Sequence, residues 1–283
     1  MLPPFEIHQP GTAAEAAALR ARHGESASLY AGGTELLLAM KEGLGAFEHL
    51  IDVKTVAGLD GLAASNGTLR IGATVTHRQL ERSPLVRERF PLLAQMARQV
   101  ANPRVRAFGT VGGNLCFGEP HSDPPTALLV HGATVMLESP TARRELALEQ
   151  FVRGPYETAL GADEILTAVD VAALPPRARG AYLKFGMHER PTVAVAVVVV
   201  PDGGGAFVGE ARVAVGCVGP VASRLPALEA QLAGVPLEAL RRGFAPASTA
   251  GESLDAVSDL HGSARYKRHL AGVLVKRALM AVA

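Results

Sequence analysis

Tryptophan is absent from the 283-residue chain, aromatic residues make up 5%, and there are two cysteines, Cys116 and Cys217. They lie far apart and form no CxxC, so no zinc or iron–sulfur site follows from spacing. Thiols this sparse suit a reducing compartment, and the expected location is the cytoplasm. An excess of one charge is also missing. Lys and Arg number 28 against 27 Asp and Glu, for a net charge of +1, and the basic residues are scattered. That argues against nucleic acid or an acidic membrane surface as the main partner. The opening MLPPFEIHQP has neither a basic n-region nor an apolar h-region, so no signal peptide is expected. The longest apolar run, Val193 to Val200, is too short to span a bilayer. Rich in valine and flanked by Pro191 and Pro201, it reads as a buried strand. What is plentiful is apolar content, 48% of residues against 19% charged, enough for a sizeable core.

Length predicts one to three domains. Along the chain, Phe5 to His8 reads as a strand. Thr12 with Glu15 reads as a capping box before a helix to His23. Strands are predicted at Ser28 to Ala31 and His49 to Val53, with a helix at Glu35 to Glu42 between them. Asn66-Gly67 marks a hairpin within Leu62 to Gly72. Thr76 caps a short helix, one longer helical pattern covers Leu85 to Val100, and Asn102 to Asp123 reads as irregular. A helix at Thr126 to His131 and a strand at Thr134 to Glu138 follow. Leu174 to Gly180 looks like a connection, which divides the chain into 1–174 and 178–283. After it come three strands, near 181–187, 193–200 and 207–218, then helices near 223–233, 236–242 and 262–282. Alternation followed by segregation of strands and helices gives an α+β class in two domains, not one doubly wound sheet.

Two glycine-rich stretches carry the chemistry. In "LYAGGTELLLAMKEG", Gly32-Gly33-Thr34 joins a strand to a helix. Glycine permits positive φ and close approach, and successive amides can form a nest for phosphate. In "FGTVGGNLCFGEPHSD", Thr110-Val111-Gly112-Gly113-Asn114 repeats that chemistry. Asp123 stands at a helix start, where a carboxylate caps amides or receives a hydroxyl donor. Two such loops can grip the two phosphates of a dinucleotide; the alternative is two unrelated turns with Asp123 a simple N-cap. There is no GxGxxG after a strand, no GxxxxGK[ST], no GxSxG and no HExxH. His188-Glu189 begins the last of these without its second histidine. His121 and Asp123 form a candidate acid–base pair by spacing alone, with a plain loop role as the alternative.

The stretches "YAGGTELLLAMKEG" and "VRAFGTVGGNLCFGEPHSDPPTALLVHGATVML" closely resemble the two FAD pyrophosphate loops of the molybdenum hydroxylases. The resemblance is to their separate medium flavoprotein subunit, as in carbon monoxide dehydrogenase, and to the equivalent domain of xanthine dehydrogenase. "FVRGPYETALGADEILTAVDV", "GAYLKFGMHERPTVAVAVVVV", "ARVAVGCVGPVASRLPALEA" and "YKRHLAGVLVKRALM" extend it over nearly the whole chain. It implies a two-lobed FAD-binding domain of the vanillyl-alcohol oxidase and MurB kind, then a smaller C-terminal domain of three strands plus helices. It assigns Ala31, Gly32, Gly33, Thr34 and Glu35 to the first pyrophosphate loop, and Thr110, Val111, Gly112, Gly113 and Asn114 to the second. Asp123 matches an acidic residue that holds FAD. Leu166 and Lys184 match positions approaching the flavin, and Val193 an apolar residue near its ring. For Leu166 and Val193 the alternative is strand core, and for Lys184 a solvated strand residue. Glu35 stands where the family often has Asp, and Ala107-Phe108 where a polar residue is common. Two cysteines leave no room for the extra iron–sulfur insertion of some relatives.

The family's large subunit carries a molybdenum cofactor and hydroxylates substrate; its small subunit carries two 2Fe–2S clusters. The resemblance therefore implies an electron-transfer FAD subunit in a dimer of heterotrimers, with no catalytic side chain and no metal on this chain. The alternatives are a self-sufficient FAD oxidase or reductase, and a flavin-free docking scaffold.

Overall fold

A computed structural model describes residues 2–186 and 189–283. The chain divides into two compact units, each built from separate stretches. The first takes the chain up to Leu80, Asn102–Gly118 and Ala133–Ala172; the second takes Glu81–Ala101, Glu119–Gly132 and the chain from Ala173 onward.

The first unit opens with β1 (Glu6–His8), α1 (Ala13–His23), β2 (Ala27–Tyr30), α2 (Leu36–Lys41) and β3 (His49–Asp52). β1 and β2 both pair in parallel with β3, the middle strand. The capping box forms: Thr12 Oγ1 accepts from Glu15 N–H, and the Glu15 carboxylate accepts from Thr12 N–H. Ala16 and Ala17 of α1 bury against Ile51 and Val53. β4 (Leu62–Ser65) and β5 (Thr68–Gly72) form the expected hairpin, with Asn66 at φ 50 and Gly67 at φ 76. Both positive angles suit the twist of a two-residue hairpin turn.

The helical stretch that follows departs from expectation. After α3 (His77–Arg82), the single helix expected over Leu85 to Val100 is two, α4 (Pro84–Arg89) and α5 (Pro91–Ala97). Pro91 has no N–H to continue the ladder and its ring collides with the preceding turn, so α4 ends and α5 begins at Phe90. The stretch from Asn102 to Asp123, expected to be irregular, is largely helical: α6 (Pro103–Phe108), α7 (Val111–Phe117) and the start of α8 (Asp123–Val130). Its glycines masked two good starts. Asn102 Oδ1 accepts from Arg104 and Val105 N–H, and Thr110 Oγ1 accepts from Gly113 N–H. α7 stops at Gly118, which takes the left-handed conformation at φ 67.

β6 (Thr134–Glu138), β7 (Arg143–Ala147), α9 (Leu148–Phe151), β8 (Val152–Gly154), β9 (Glu157–Thr158) and β10 (Ile165–Ala172) complete the first unit. Its antiparallel sheet runs β4-β5-β10-β6-β7, and β8 pairs with β9. In the second unit, β11 (Arg179–Phe185), β12 (Val193–Pro201), β13 (Val208–Gly216) and β14 (Ser223–Arg224) form an antiparallel meander. α10 (Pro226–Leu232), α11 (Leu237–Arg241) and α12 (Ala264–Val282) follow. The short β14 adds a fourth strand to the three expected, because Ser223 and Arg224 pair with β13 before α10 begins.

The valine run of β12 is explained by burial on both faces. Val193, Val195, Val197 and Val199 share a core with residues of α10, α11 and α12. On the other face, Gly180 opposite Val198 lies against Leu92 of α5, and Gly216 opposite Ala194 lies against Thr126 of α8. Among the described residues no helix is long and apolar enough to cross a membrane.

Candidate functional site

Residues 31–35 turn the chain from β2 into α2. Gly33 has φ 69, and a Cβ there would stand 2.6 Å from Tyr30 Cε2, so the turn demands glycine. Gly32 is required for a different reason. A Cβ on it would lie 2.1 Å from Phe108 O and 2.9 Å from Gly109 Cα, so the first loop rests backbone against backbone on the entry to the second. Thr34 Oγ1 falls 3.4 Å from where a Cβ on Gly109 would stand, and Ala31 Cβ 3.8 Å from the same point on Gly113. Stretches separated by some seventy positions are thus one surface feature of the first unit.

The two loops differ in what they offer. Among the described residues, no partner accepts from the N–H of Gly32, Gly33 or Thr34. The second loop's amides are engaged: Val111 N–H donates to Val75 O at 2.9 Å, and Gly112 N–H to Ala73 O at 3.0 Å. Gly113 N–H donates to Thr110 Oγ1 at 3.1 Å and Asn114 N–H to Thr110 O at 3.0 Å. Gly112 serves close packing, since a Cβ there would stand 2.7 Å from Ala73 O. The open nest is the first loop, and the second supplies an exposed glycine edge beside it.

Two residues that the sequence did not single out brace this feature. Lys54 Nζ donates to Ala31 O at 3.1 Å and to Asp52 Oδ1 at 2.6 Å, and stands 3.8 Å above the Tyr30 ring. It brings a cation to the base of the first loop. His77, beside the second, braces it through its main chain, whose N–H donates to Gly109 O at 3.0 Å. Its side chain is buried and, among the described residues, Nδ1 has no hydrogen-bond partner. Burial, aided by the Arg106 charge, lowers its pKa to about 4.

In the second unit, Asp123 is the first residue of α8 and Ser122 holds the N-cap position. Of the two roles open to Asp123, receiving a hydroxyl is the one observed: Tyr182 Oη donates to Oδ1 at 2.5 Å. Lys184 Nζ donates to Oδ2 at 3.1 Å and to Gln99 O at 2.5 Å. Tyr182 and Lys184 alternate on β11, so both reach one face of the sheet. Gln95 Oε1 accepts from Tyr182 N–H at 3.0 Å. Lys184 is therefore not the solvated strand residue of the alternative reading; its ammonium is committed to a buried carboxylate. Burial pushes the Asp123 carboxyl above its ordinary range, opposed by Lys184 and by the Tyr182 hydroxyl. The Y-x-K alternation in AYLKF, two polar side chains on one face of an apolar strand, was the available signal for Tyr182.

The remaining candidates separate. Val193 lies on the opposite face of the sheet from Lys184, fully buried in the core with α10, α11 and α12. Leu166 is a buried residue of β10 paired with Leu137 of β6. His121 and Asp123 do not form the acid–base pair their spacing allowed. His121 Nε2 bonds Asp259 Oδ2 at 2.8 Å and Nδ1 bonds Pro191 O at 2.8 Å. Asp259 also accepts from the buried Lys267 at 2.5 Å and from His261 N–H at 2.8 Å. Burial opposes its charge, but these donors, Lys267 first, hold its pKa at about 2. His188, of the incomplete zinc motif, lies outside the described residues.

Comparison with known proteins agrees along the whole chain. Residues 3–173 match the family described as the FAD binding domain in molybdopterin dehydrogenase. Residues 187–282 match the CO dehydrogenase flavoprotein C-terminal domain. The chain is 36% identical over 284 aligned residues to the carbon monoxide dehydrogenase medium chain of Hydrogenophaga pseudoflava, covering 99% of this chain and 98% of that one. It is 33% identical over 258 residues to the nicotine 6-hydroxylase medium subunit of Paenarthrobacter nicotinovorans, covering 90% and 89%. A solved structure of carbon monoxide dehydrogenase from Hydrogenophaga pseudoflava superposes with a TM-score of 0.93 at 37% identity, covering 100% of this chain and 98% of that chain. With its FAD-binding and C-terminal flavoprotein parts in this order, the chain belongs to the FAD-binding medium-subunit family of the molybdenum hydroxylases.

Proposed function

We propose that the chain is the electron-transfer flavoprotein of a multi-subunit molybdenum hydroxylase, with Gly32, Gly33 and Thr34 presenting main-chain N–H groups to the FAD pyrophosphate. The observation that carries this is the open nest of the first loop, packed against the second through a glycine that tolerates no side chain. These residues fit a pyrophosphate: three unengaged donors, a threonine hydroxyl at a helix start and a lysine at the base of the turn. Ala31 and Glu35 flank the nest. Thr110, Val111, Gly112, Gly113 and Asn114 set the second wall, where Gly113 leaves main chain exposed.

Bound FAD supplies the redox chemistry, between 2Fe–2S clusters on a small partner chain and an external acceptor. The protein's part is to hold and orient it. Within the second unit Asp123 fixes Lys184 and Tyr182 on one face of β11; by the resemblance, Leu166 and Lys184 approach the flavin and Val193 lies near its ring. A large molybdopterin-binding chain and a small iron–sulfur chain complete the enzyme, as a dimer of heterotrimers in the cytoplasm. The named relatives act on carbon monoxide and on nicotine. Similar flavoprotein chains thus belong to enzymes of unlike substrates, which supports assigning substrate choice to the molybdenum chain.

The test is the visible spectrum of the purified chain with its released cofactor identified by chromatography. Stoichiometric FAD, and no turnover of an organic substrate by the chain alone, is the expected result. FMN in its place overturns the two-loop reading, and a folded chain that takes up no flavin when offered FAD overturns it and leaves a docking scaffold.

A further inference from the structure

Three histidines converge in the first unit, outside both glycine loops. His8 closes β1, His23 closes α1 and His49 opens β3. Parallel pairing sets Glu6 opposite His49, and strand alternation returns His8 to the face of Glu6. α1 delivers His23 from its last position. The His23 and His49 ring centroids are 3.9 Å apart, and those of His8 lie 5.0 and 5.1 Å from them. One ligand nitrogen from each histidine lies within 4.8 Å of the other two. His8 Nε2 stands 3.0 Å from His49 Nδ1. Glu6 Oε2 is 3.6 Å from His49 Nδ1 and 4.0 Å from His8 Nε2.

We propose that His8, His23 and His49, with the Glu6 carboxylate as fourth donor, form a binding site for one divalent transition-metal ion of the zinc type. Donor atoms around tetrahedral zinc, at metal–nitrogen distances of about 2.0–2.1 Å, stand roughly 3.4 Å apart. The distances between Glu6, His8 and His49 bracket that spacing and the His23 nitrogen lies within 4.8 Å of the other two, so side-chain rotation, largest for the exposed Glu6, draws the donors onto one ion. Imidazole nitrogen with a single carboxylate is a donor set for zinc, nickel or cobalt rather than for calcium or magnesium. The site is accessible: the His8 and His49 side chains are 16% and 20% exposed, and that of Glu6 is 66% exposed at the rim. A proton shared between His8 and His49 satisfies one nitrogen pair and leaves the third imidazole without a role, whereas an ion uses all three. The ion joins the first strand, the first helix and the third strand, tying three segments of one small parallel sheet. Binding there stabilises the folded chain by mass action. The wide sequence spacing of these histidines is why no motif announced them.

The experiment uses the full chain without an affinity tag, stripped with chelator, and titrates it with zinc or cobalt(II). One ion per chain is expected, with the visible absorption of tetrahedral cobalt and a rise in Tm on adding zinc. His23→Gln, at the end of a surface helix, is expected to weaken uptake by more than about 100-fold, beyond what outer-shell partners contribute. His8→Gln is expected to do the same, and FAD content is expected to stay unchanged in both. Uptake of no ion by the folded wild-type chain at tenfold excess overturns the proposal. So does wild-type affinity in either folded variant, because then another of the chain's nine histidines holds the ion.

Discussion

In the first unit the groups proposed to meet the cofactor are main-chain N–H groups, held open because Gly32 and Gly33 have no side chains. In the second unit, the polar groups named by the resemblance are side chains, Asp123 and Lys184, already bonded to each other and to Tyr182. The two regions fail in opposite ways. A glycine loop is broken by adding atoms, since there is no room for a Cβ. A buried carboxylate is broken by removing atoms, since its partners are left without a counter-charge. If the proposed assignment holds, the loops act through cofactor retention, while the Asp123 cluster acts first through stability.

Five variants sharpen this contrast. The largest effect belongs to Gly32→Val with Gly113→Val. A Cβ at Gly32 meets Phe108 O, main chain that cannot rotate away. The double variant is expected to fold and to purify without FAD; normal FAD content measured by absorbance would detach the loops from the cofactor. Asp123→Ala comes next, with an expected loss of about 3–5 kcal/mol in urea unfolding, the usual cost of removing one member of a buried ion pair. Asp123→Asn, which still accepts from Tyr182, is expected to lose clearly less. His77 gives a pH-dependent effect. Its folded-state pKa of about 4 lies below the ordinary 6.5, so the unfolded chain takes up the proton first as pH falls. The contribution to stability is full above pH 6.5 and is lost on descending toward pH 4, by about 3 kcal/mol. Urea melts of His77→Gln against wild type across that interval are expected to show a flatter profile for the variant. The smallest effect is for Lys54→Met, a partly exposed cation at the first loop. FAD affinity is expected to fall several-fold, about 1 kcal/mol, and less at high salt.

The first unit was the more legible of the two regions. The Thr12 capping box, the Asn66-Gly67 turn and both glycine stretches are local signals, each written within a few residues. Local signals misled where two rules competed. Pro91 broke an unbroken helical periodicity, and the glycines of 102–123 concealed two helices that begin on Asn102 and Thr110. The second unit's strands were visible from valine content, but its polar cluster was not. Asp123 meets Tyr182 across 59 positions and Lys184 across 61, and His121 meets Asp259 across 138. Such pairs are set by sheet register and helix packing, so spacing along the chain proposed the wrong partner for His121. The histidine cluster at 8, 23 and 49 was hidden for the same reason.

On the proposed reading, the pyrophosphate is the handle by which this chain holds its flavin. The most direct measurement is competitive binding of FAD and riboflavin to the flavin-free chain, with inorganic pyrophosphate as a third ligand. FAD is expected to bind tighter than riboflavin by well over tenfold, about 1.4 kcal/mol per decade, and pyrophosphate to compete with FAD. Equal affinity for riboflavin and FAD, with no competition by pyrophosphate, would contradict that reading.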